Sequence, residues 1–224
     1  MSTLIEKSSD MEKRYDQGVD TWGNRERRLY QTILKEAVEK VKLYTEDPLI
    51  QIGRVCNWVD IGCGGANVID TVEEHSDESV DFDFYGCDIS QVAIDDIRNR
   101  YPEGKFLRVD LEEYPHLDDK NHDEFRGYLS GADVVSIVDV AYYFGDKRPW
   151  KETMKAIWDD IRPGAIVLVA DSLIPYQRRS YFKTMKDAVL LESYTDYSEK
   201  VSTEKRADGR EWHRYLKVLI YRKV

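Results

Sequence analysis

The fold is decided by the stretch Val59-Asp60-Ile61-Gly62-Cys63-Gly64-Gly65-Ala66, which begins as an apolar strand and ends in a cluster of glycines. The residues just before it, VCNW at 55–58, continue the short, mostly apolar pattern that is typical of a buried strand. Glycines directly after such a strand let the backbone turn sharply and approach a ligand with no Cβ in the way. The stretch therefore predicts a strand, a tight turn and a loop that fits a nucleoside-type ligand.

Strand-like and helix-like segments alternate on both sides of this loop. Residues 24–44 place apolar side chains at spacings of three and four, which predicts an amphipathic helix. Further strands are predicted at 82–88, 105–111, 132–144 and 165–171, and further helices at 91–101 and 148–161. Toward the end, two segments with partial alternation flank Asp208-Gly209, which is a hairpin signal. We therefore expect an α/β, Rossmann-like fold: a doubly wound, mostly parallel sheet with an antiparallel C-terminal hairpin.

Length and composition indicate one ordinary globular domain. The 224 residues contain no repeat and no Pro/Gly-rich linker, so a single domain is expected over 1–224, with 1–45 as a helical lid or cap segment. No apolar run approaches the roughly 20 residues of a spanning helix. The polar start of the chain lacks the features of a secretory signal, so we expect no membrane role and a cytoplasmic location.

Charge and cysteine usage exclude further classes of function. The net charge of −10 argues against nucleic acid as a partner, because binding to phosphates needs clustered Lys and Arg. Cys56, Cys63 and Cys87 have neither a CxxC spacing nor an even count, so we expect reduced core thiols and no metal site. The sequence does not indicate an oligomeric state.

Acidic residues stand at the ends of the first three predicted strands of the sheet. An open parallel sheet binds ligands at the carboxyl ends of its strands, where the strand order reverses. Asp60 lies in the first strand-to-helix connection, and Asp88 lies where such folds place a carboxylate to accept from ribose hydroxyls. Asp110 is placed to accept from an adenine amino group. The alternative for all three is helix capping or solvation of a loop.

The stretch at 59–66 resembles motif I of the class I S-adenosylmethionine-dependent methyltransferases, and YGCDIS at 85–90 resembles their motif II. The resemblance implies a seven-stranded sheet, S-adenosylmethionine as the cofactor, and a glycine loop that holds its methionine part. Ala66 stands where the family commonly has a third glycine, and we expect only a slight tightening of helix packing there. The cofactor-binding residues that the resemblance implies are Asp60, Gly62, Gly64, Asp88, Ile89, Asp110, Leu111 and Val138.

The segment at 15–23 and the AYYF at 141–144 resemble, more narrowly, the small-molecule branch of that family, which includes NodS-like enzymes that N-methylate an amino sugar. Tyr15 and Trp22 are predicted to fold over the bound cofactor as an aromatic lid and to exclude water. The alternative for Trp22 is a hydrophobic staple at the start of the following helix.

Methyl transfer to an oxygen or a protonated amine calls for a group near the methyl that accepts a proton. Asp139, Tyr142 and Tyr143 follow the fourth strand and are the candidates, with His213 as a further possible base. Each has an alternative as a packing or solvated residue. The expected acceptor is a small molecule, an amine of a sugar or polar metabolite before a hydroxyl. An NAD-type oxidoreductase and a non-catalytic cofactor-binding or interaction protein remain as rival functions.

Overall fold

The fold is built around one mixed sheet, with helices on both faces. The computed structural model describes residues 28–45, 55–75, 81–114, 120–140, 150–171, 181–195, 202–205, 211–214 and 217–224. The strands are β1 Cys56–Ile61, β2 Phe82–Asp88, β3 Lys105–Arg108, β4 Val134–Val138, β5 Ile166–Asp171, β6 Ala188–Thr195, β7 Ser202–Lys205, β8 Glu211–Arg214 and β9 Lys217–Lys223. The helices are α1 Arg28–Thr45, α2 Asn67–Glu74, α3 Gln91–Arg100, α4 Lys120–Gly131 and α5 Trp150–Asp160, with a 3₁₀ turn at Tyr181–Thr184.

The seven-stranded sheet has the order β3-β2-β1-β4-β5-β9-β6. Strands β1 to β5 pair in parallel, whereas β9 runs antiparallel between β5 and β6. The strand order reverses next to β1, because β2 lies on one side of it and β4 on the other. The predicted doubly wound sheet with an antiparallel C-terminal closure is thereby confirmed. Strands β7 and β8 form a separate two-stranded sheet.

Alternate side chains of the central strands bury into two cores. Helices α1, α2 and α3 cover one face, where Trp58 of β1 and Val134 of β4 are fully buried. Helices α4 and α5 cover the other face, over Val59 and Val135. Both faces of the parallel strands are therefore buried, which explains their mostly apolar sequence. All three cysteines are buried in the core, as predicted.

Two predicted element boundaries were wrong, each for a local reason. Strand β3 ends at Arg108 rather than at 111, because the carboxylate of Asp110 accepts a hydrogen bond from the Glu112 N–H at 2.9 Å and starts a turn. Strand β4 ends at Val138, since Asp139 adopts a φ of 53° and leaves the ladder. The remainder of the predicted strand and the Asp208-Gly209 turn lie outside the described residues.

Helix α4 was not predicted from the sequence. Its buried side chains are His122, Phe125 and Leu129, and the rest of the helix is polar. One of these three positions is a histidine, so the apolar stripe is too narrow to be recognised by its period. Within the described ranges, no helix is long and apolar enough to cross a membrane.

The turn after β1 leaves no room for a side chain at Gly62. This residue has a φ of +71°, and a Cβ built there lies 2.2 Å from Cγ2 of Val140 in the connection after β4. A φ of this sign disfavours residues with a Cβ, and the contact with Val140 excludes one sterically. Gly62 therefore lets the turn pack directly on the end of β4.

A buried lysine at the end of β9 caps helix α5. Lys223 is 6% exposed, and its ammonium group donates to the carbonyl oxygens of Trp158, Asp159 and Ile161 at 2.6, 3.1 and 2.6 Å. These carbonyls lie at or just beyond the C-terminal end of the helix, where a positive charge interacts favourably with the helix dipole. The lysine thus links the antiparallel closing strand to a helix on the sheet face.

We predict that Lys223→Met lowers the free energy of unfolding by about 2–4 kcal/mol, because a charged donor to several buried carbonyls is lost. Lys155→Met on the same helix is the matched control, since Lys155 pairs with the exposed Asp159. That control should cost less than about 0.5 kcal/mol. Urea unfolding with unchanged m-values measures both, and equal losses for the two lysines would contradict the capping role.

Gly62→Ala is predicted to destabilise the fold by about 2–4 kcal/mol, from left-handed strain and from overpacking against Val140. The control is Gly127→Ala in α4, where a Cβ meets nothing within 4 Å. In that helix, alanine should stabilise by about 0.5–1 kcal/mol. Chemical unfolding of both variants tests the pair, and a neutral Gly62→Ala would remove the packing argument.

Candidate functional site

The carboxyl ends of the parallel strands lie side by side around the reversal of strand order. Ile61 of β1 is in register with Cys87 of β2 and with Ile137 of β4. The next residues along β2 and the chain after β4 therefore reach the same edge of the sheet as the turn at Gly62. Asp88 and Asp139 lie at this edge, which is where open α/β sheets bind ligands.

The glycine loop is tied to β2 through its backbone. The N–H groups of Gly62 and Cys63 both donate to the carbonyl oxygen of Cys87, at 2.7 and 2.9 Å. The N–H of Gly64 donates to Oδ2 of Asp88 at 3.1 Å. The strand that carries the predicted ribose acid thus also fixes the shape of the loop.

Ala66 adopts a left-handed conformation, with φ 62° and ψ 22°, at the N-cap of α2. Its side chain makes no cap hydrogen bond, and the residue is fully buried. The expectation of a slight effect on helix packing was incomplete, because an alanine here also carries left-handed strain of about 1–2 kcal/mol. The third glycine of the motif is thus replaced where glycine has a conformational advantage.

Arg100 of α3 supports the loop from behind and was not found from the sequence. Its guanidinium donates to the carbonyl oxygen of Gly65 at 2.8 Å and to Oδ1 of Asp70 at 2.8 Å. Tyr101 donates to the same Asp70 oxygen at 2.6 Å. An arginine at the end of an amphipathic helix gives no sequence signal of such a contact, because the partners are about 30 residues away.

Asp88 is 7% exposed and accepts hydrogen bonds from two backbone groups. Besides the bond from Gly64, its Oδ1 accepts from the N–H of Ser90 at 2.8 Å. The N-cap of α3 is Ser90, so these bonds of Asp88 hold the connections after β1 and β2 and are not the predicted helix cap.

Asp60 is the most deeply buried acid of the site, at 2% exposed. Its Oδ1 accepts a hydrogen bond from the hydroxyl of Ser136 on the neighbouring strand β4 at 2.6 Å. Burial raises the pKa of Asp60 from its ordinary value to about 7, the hydrogen bond from Ser136 opposes this, and the Asp88 carboxylate adds to it. The group therefore changes charge near neutral pH.

The connection after β3 brings Asp110 and Leu111 to the same edge of the sheet. The Val109 N–H donates to the carbonyl oxygen of Asp88 at 2.9 Å, which ties this connection to β2. A ring nitrogen of the buried His122 lies 3.3 Å from the carbonyl oxygen of Asp110. Beside them, Arg108 donates to the carbonyl oxygen of Ile89 at 3.0 Å. The ends of β2 and β3 therefore form one connected wall.

Val138 and Asp139 complete the opposite wall, at the end of β4. Val138 is buried, and Asp139 is partly exposed with a left-handed φ of 53°. The N–H of Asp139 donates to the carbonyl oxygen of Ala170 at 2.9 Å. This bond fixes the backbone from which the Asp139 carboxylate projects.

The remaining predicted site residues lie on another sheet or outside the described residues. His213 lies on β8 of the two-stranded sheet, opposite Thr203, and not on the sheet that carries the acids. Tyr15, Trp22, Tyr142 and Tyr143 lie outside the described residues.

The described site is a glycine turn bordered by carboxylates. Asp60 and Asp88 interact electrostatically, since the charge of Asp88 contributes to the raised pKa of Asp60. Such a pair favours a ligand that brings positive charge, and it disfavours a phosphate at the same place. These features fit the cationic methionine part of S-adenosylmethionine.

Comparisons with known proteins agree with this geometry. The family model described as a methyltransferase domain matches residues 59–167. The comparison with curated protein sequences gives no significant match. Among solved structures, the chain is similar to the N-methyltransferase NodS from Bradyrhizobium japonicum WM9 in complex with S-adenosylhomocysteine, with a TM-score of 0.61, 13% identity, and coverage of 96% of this chain and 97% of that chain.

Two further structures have the same fold. The 1,6-didemethyltoxoflavin-N1-methyltransferase from Burkholderia thailandensis gives a TM-score of 0.60 at 12% identity, and the similarity covers 100% of this chain and 92% of that chain. The CurJ carbon methyltransferase gives a TM-score of 0.63 at 10% identity, and the similarity covers 100% of this chain and 61% of that chain. Residues 59–167 therefore form a methyltransferase domain, and the chain has the fold of the class I S-adenosylmethionine-dependent methyltransferases.

Proposed function

We propose that the protein transfers a methyl group from S-adenosylmethionine to a small-molecule acceptor, an amine of a sugar or similar polar metabolite before a hydroxyl. The observation that carries the cofactor assignment is the pair of buried acids, Asp60 and Asp88, on either side of the Gly62 turn. The acceptor assignment rests on charge, on the position of Asp139 and on the similar structures.

The acid pair separates the proposal from its oxidoreductase rival. A dinucleotide cofactor places a pyrophosphate at the glycine loop and the following helix N-terminus. In this chain the Gly64 N–H already donates to Asp88, and Asp70 stands in the first turn of α2. Negative charge at this place opposes a pyrophosphate, whereas an ammonium and a sulfonium are attracted.

The proposed cofactor residues are grouped according to the part of S-adenosylmethionine that each is proposed to bind. Asp60, Gly62 and Gly64 are assigned to the methionine part, and Val138 borders it. Asp88 and Ile89 are assigned to the ribose, and Asp110 and Leu111 to the adenine. The cofactor supplies an electrophilic methyl on a sulfonium, so the chain needs no covalent intermediate of its own.

The protein residues then position the acceptor, exclude water and move a proton. Asp139 follows the strand end next to Asp60, and the hydrogen bond from its N–H to the carbonyl oxygen of Ala170 fixes its backbone there. Such a group can orient an ammonium acceptor or take its proton. Tyr15, Trp22, Tyr142 and Tyr143 are proposed to close the pocket over both ligands, with His213 as a further candidate base.

A small acceptor is supported by two independent observations. The net charge of −10 disfavours a nucleic-acid acceptor. NodS and the 1,6-didemethyltoxoflavin-N1-methyltransferase are both named as N-methyltransferases. The structural similarity to each of them covers 96% and 100% of this chain, respectively. Because fold does not determine function, the nitrogen acceptor remains our proposal.

The cofactor assignment predicts that S-adenosylhomocysteine binds with a Kd on the order of 1 μM, about −8 kcal/mol, whereas NAD gives no measurable binding. Titration calorimetry on the full chain tests both ligands. Asp88→Asn should weaken S-adenosylhomocysteine by about 10- to 150-fold, the effect of a lost hydrogen bond to a charged group. Asp83→Asn, on an exposed position of the same strand, is the matched control and should bind normally.

Two results would contradict this assignment. Tight binding of NAD with no heat from S-adenosylhomocysteine would favour the oxidoreductase. An unchanged Kd in Asp88→Asn would restrict Asp88 to its bonds with Gly64 and Ser90.

The acceptor assignment predicts that labelled methyl from S-adenosylmethionine appears in small amines. A panel of amino sugars, catechols, RNA and protein extract distinguishes the classes. Asp139→Asn should lower kcat by about 10²- to 10⁴-fold with little effect on cofactor Kd, as expected for loss of a proton acceptor. Asparagine tolerates the left-handed backbone at this position, so the variant changes charge without changing the turn.

Label found chiefly in RNA or protein would contradict the small-molecule acceptor. Normal turnover by Asp139→Asn would remove only the role of that residue. Cofactor binding with no turnover on any member of the panel would favour the non-catalytic alternative.

A further inference from the structure

A buried chain of hydrogen bonds leads from the core to Asp60. The indole N–H of Trp58 donates to the hydroxyl oxygen of Ser136 at 2.9 Å, and that hydroxyl lies 2.6 Å from Oδ1 of Asp60. Trp58 and Ser136 are completely buried, and Asp60 is 2% exposed. Asp60 and Ser136 are paired in the β1–β4 ladder, so the backbone of two adjacent strands holds the chain of bonds in place.

The direction of each bond follows from the chemistry of its donor. An indole N–H can only donate, so Ser136 accepts from Trp58 and keeps one proton to give. That proton has two acceptors within reach, Oδ1 of Asp60 at 2.6 Å and the carbonyl oxygen of Val59 at 3.5 Å. The much shorter distance directs it to the carboxylate. A donor that already accepts a hydrogen bond is polarised and donates more strongly.

The other groups around Asp60 act in the opposite direction or carry no charge. The Asp88 carboxylate at the end of β2 repels a charge on Asp60. Burial raises the pKa of the Cys63 and Cys87 thiols above their ordinary value, so both stay neutral below pH 9. Within the described part of the chain, the hydroxyl of Ser136 is thus the group that favours the ionised form of Asp60.

We infer that Ser136, aligned by Trp58, is a positioning residue that favours the ionised form of the buried Asp60 carboxylate and orients it for the cationic part of the cofactor. The inference rests on the proposed function for the identity of that cation. The hydrogen bonds themselves do not depend on it, because they join only residues of this chain. Ser136 touches neither ligand and acts through Asp60.

The effect on stability has a definite sign. A carboxyl group with a folded-state pKa near 7 and an unfolded pKa of about 3.9 stabilises the fold fully only below the lower value. Its contribution falls as the pH rises through about 7. Removing the hydroxyl of Ser136 raises the folded-state pKa further, so the fall continues to a higher pH.

The first experiment measures this in the free protein, with no cofactor. A double-mutant cycle compares the native chain with Ser136→Ala, Asp60→Asn and both together, by urea unfolding from pH 5 to pH 9. The coupling between the two residues should grow with pH, and the pH at which Asp60 titrates should rise by about one to two units in Ser136→Ala. Coupling that is independent of pH would overturn the inference, because a merely structural hydrogen bond has no such dependence.

The second experiment measures the Kd of S-adenosylhomocysteine over the same range up to pH 8.5. Ser136→Ala should weaken binding by about five- to fifty-fold at pH 7 and by less than about fivefold at pH 8.5, as Asp60 regains its charge. A constant ratio across this range would also overturn the inference. Failure of the native protein to bind defeats the proposed function instead, and the free-protein cycle then decides the inference alone.

Three variants separate positioning from packing. Ser136→Thr keeps the hydroxyl and should restore the native pH dependence. Trp58→Phe removes the indole donor and should reproduce part of the shift. Thr153→Val removes another buried hydroxyl, one that donates to the carbonyl oxygen of Tyr114 on the opposite side of the sheet, and should leave the pH dependence unchanged. A shift in Thr153→Val equal to that in Ser136→Ala would overturn the assignment to Asp60.

Discussion

The direct packing of the Gly62 backbone on Val140 holds the strand ends at their observed spacing. Because Val140 occupies the space of a Cβ at Gly62, the turn after β1 can close against the connection after β4. The same turn donates two backbone hydrogen bonds to Cys87 and so also holds the end of β2. Three strand ends from distant parts of the sequence are therefore fixed relative to one another by the Val140 side chain and by two backbone hydrogen bonds. The acids of the site gain their positions from this arrangement.

The order of elements was predictable because each strand on the two-sided sheet is a run of apolar residues that ends at a recognisable turn. The predicted bounds of β2, 82–88, are those observed. Helix α4 was not predicted because its buried face includes His122. The acids at strand ends were predictable from motif and position, whereas the contacts of Ser136 with Asp60 were not. Those contacts depend on which residues two strands place opposite each other, and a single sequence does not state that register.

Burying two acids close together costs stability, and hydrogen bonds to their carboxylates offset this cost. Asp88 receives two backbone N–H groups, and Asp60 receives one hydroxyl. A ligand with positive charge lowers this cost further, so the two acids favour a bound ligand of that charge. This arrangement directs binding energy to ligands of the correct charge, since a neutral molecule of the same shape gains nothing from the acids.

The position of β9 between β5 and β6 has a consequence for how the chain is made on the ribosome. Strand β9 follows β6 in the sequence, yet it separates β5 from β6 in the sheet. Until β9 is synthesised, one edge of β5 has no antiparallel partner, and its residues Val167 and Val169 belong to a core that is incomplete. An open apolar edge of this kind is prone to pairing with other chains. A nascent chain that pauses before β9 is thus more exposed to aggregation than one that pauses within the earlier βα units.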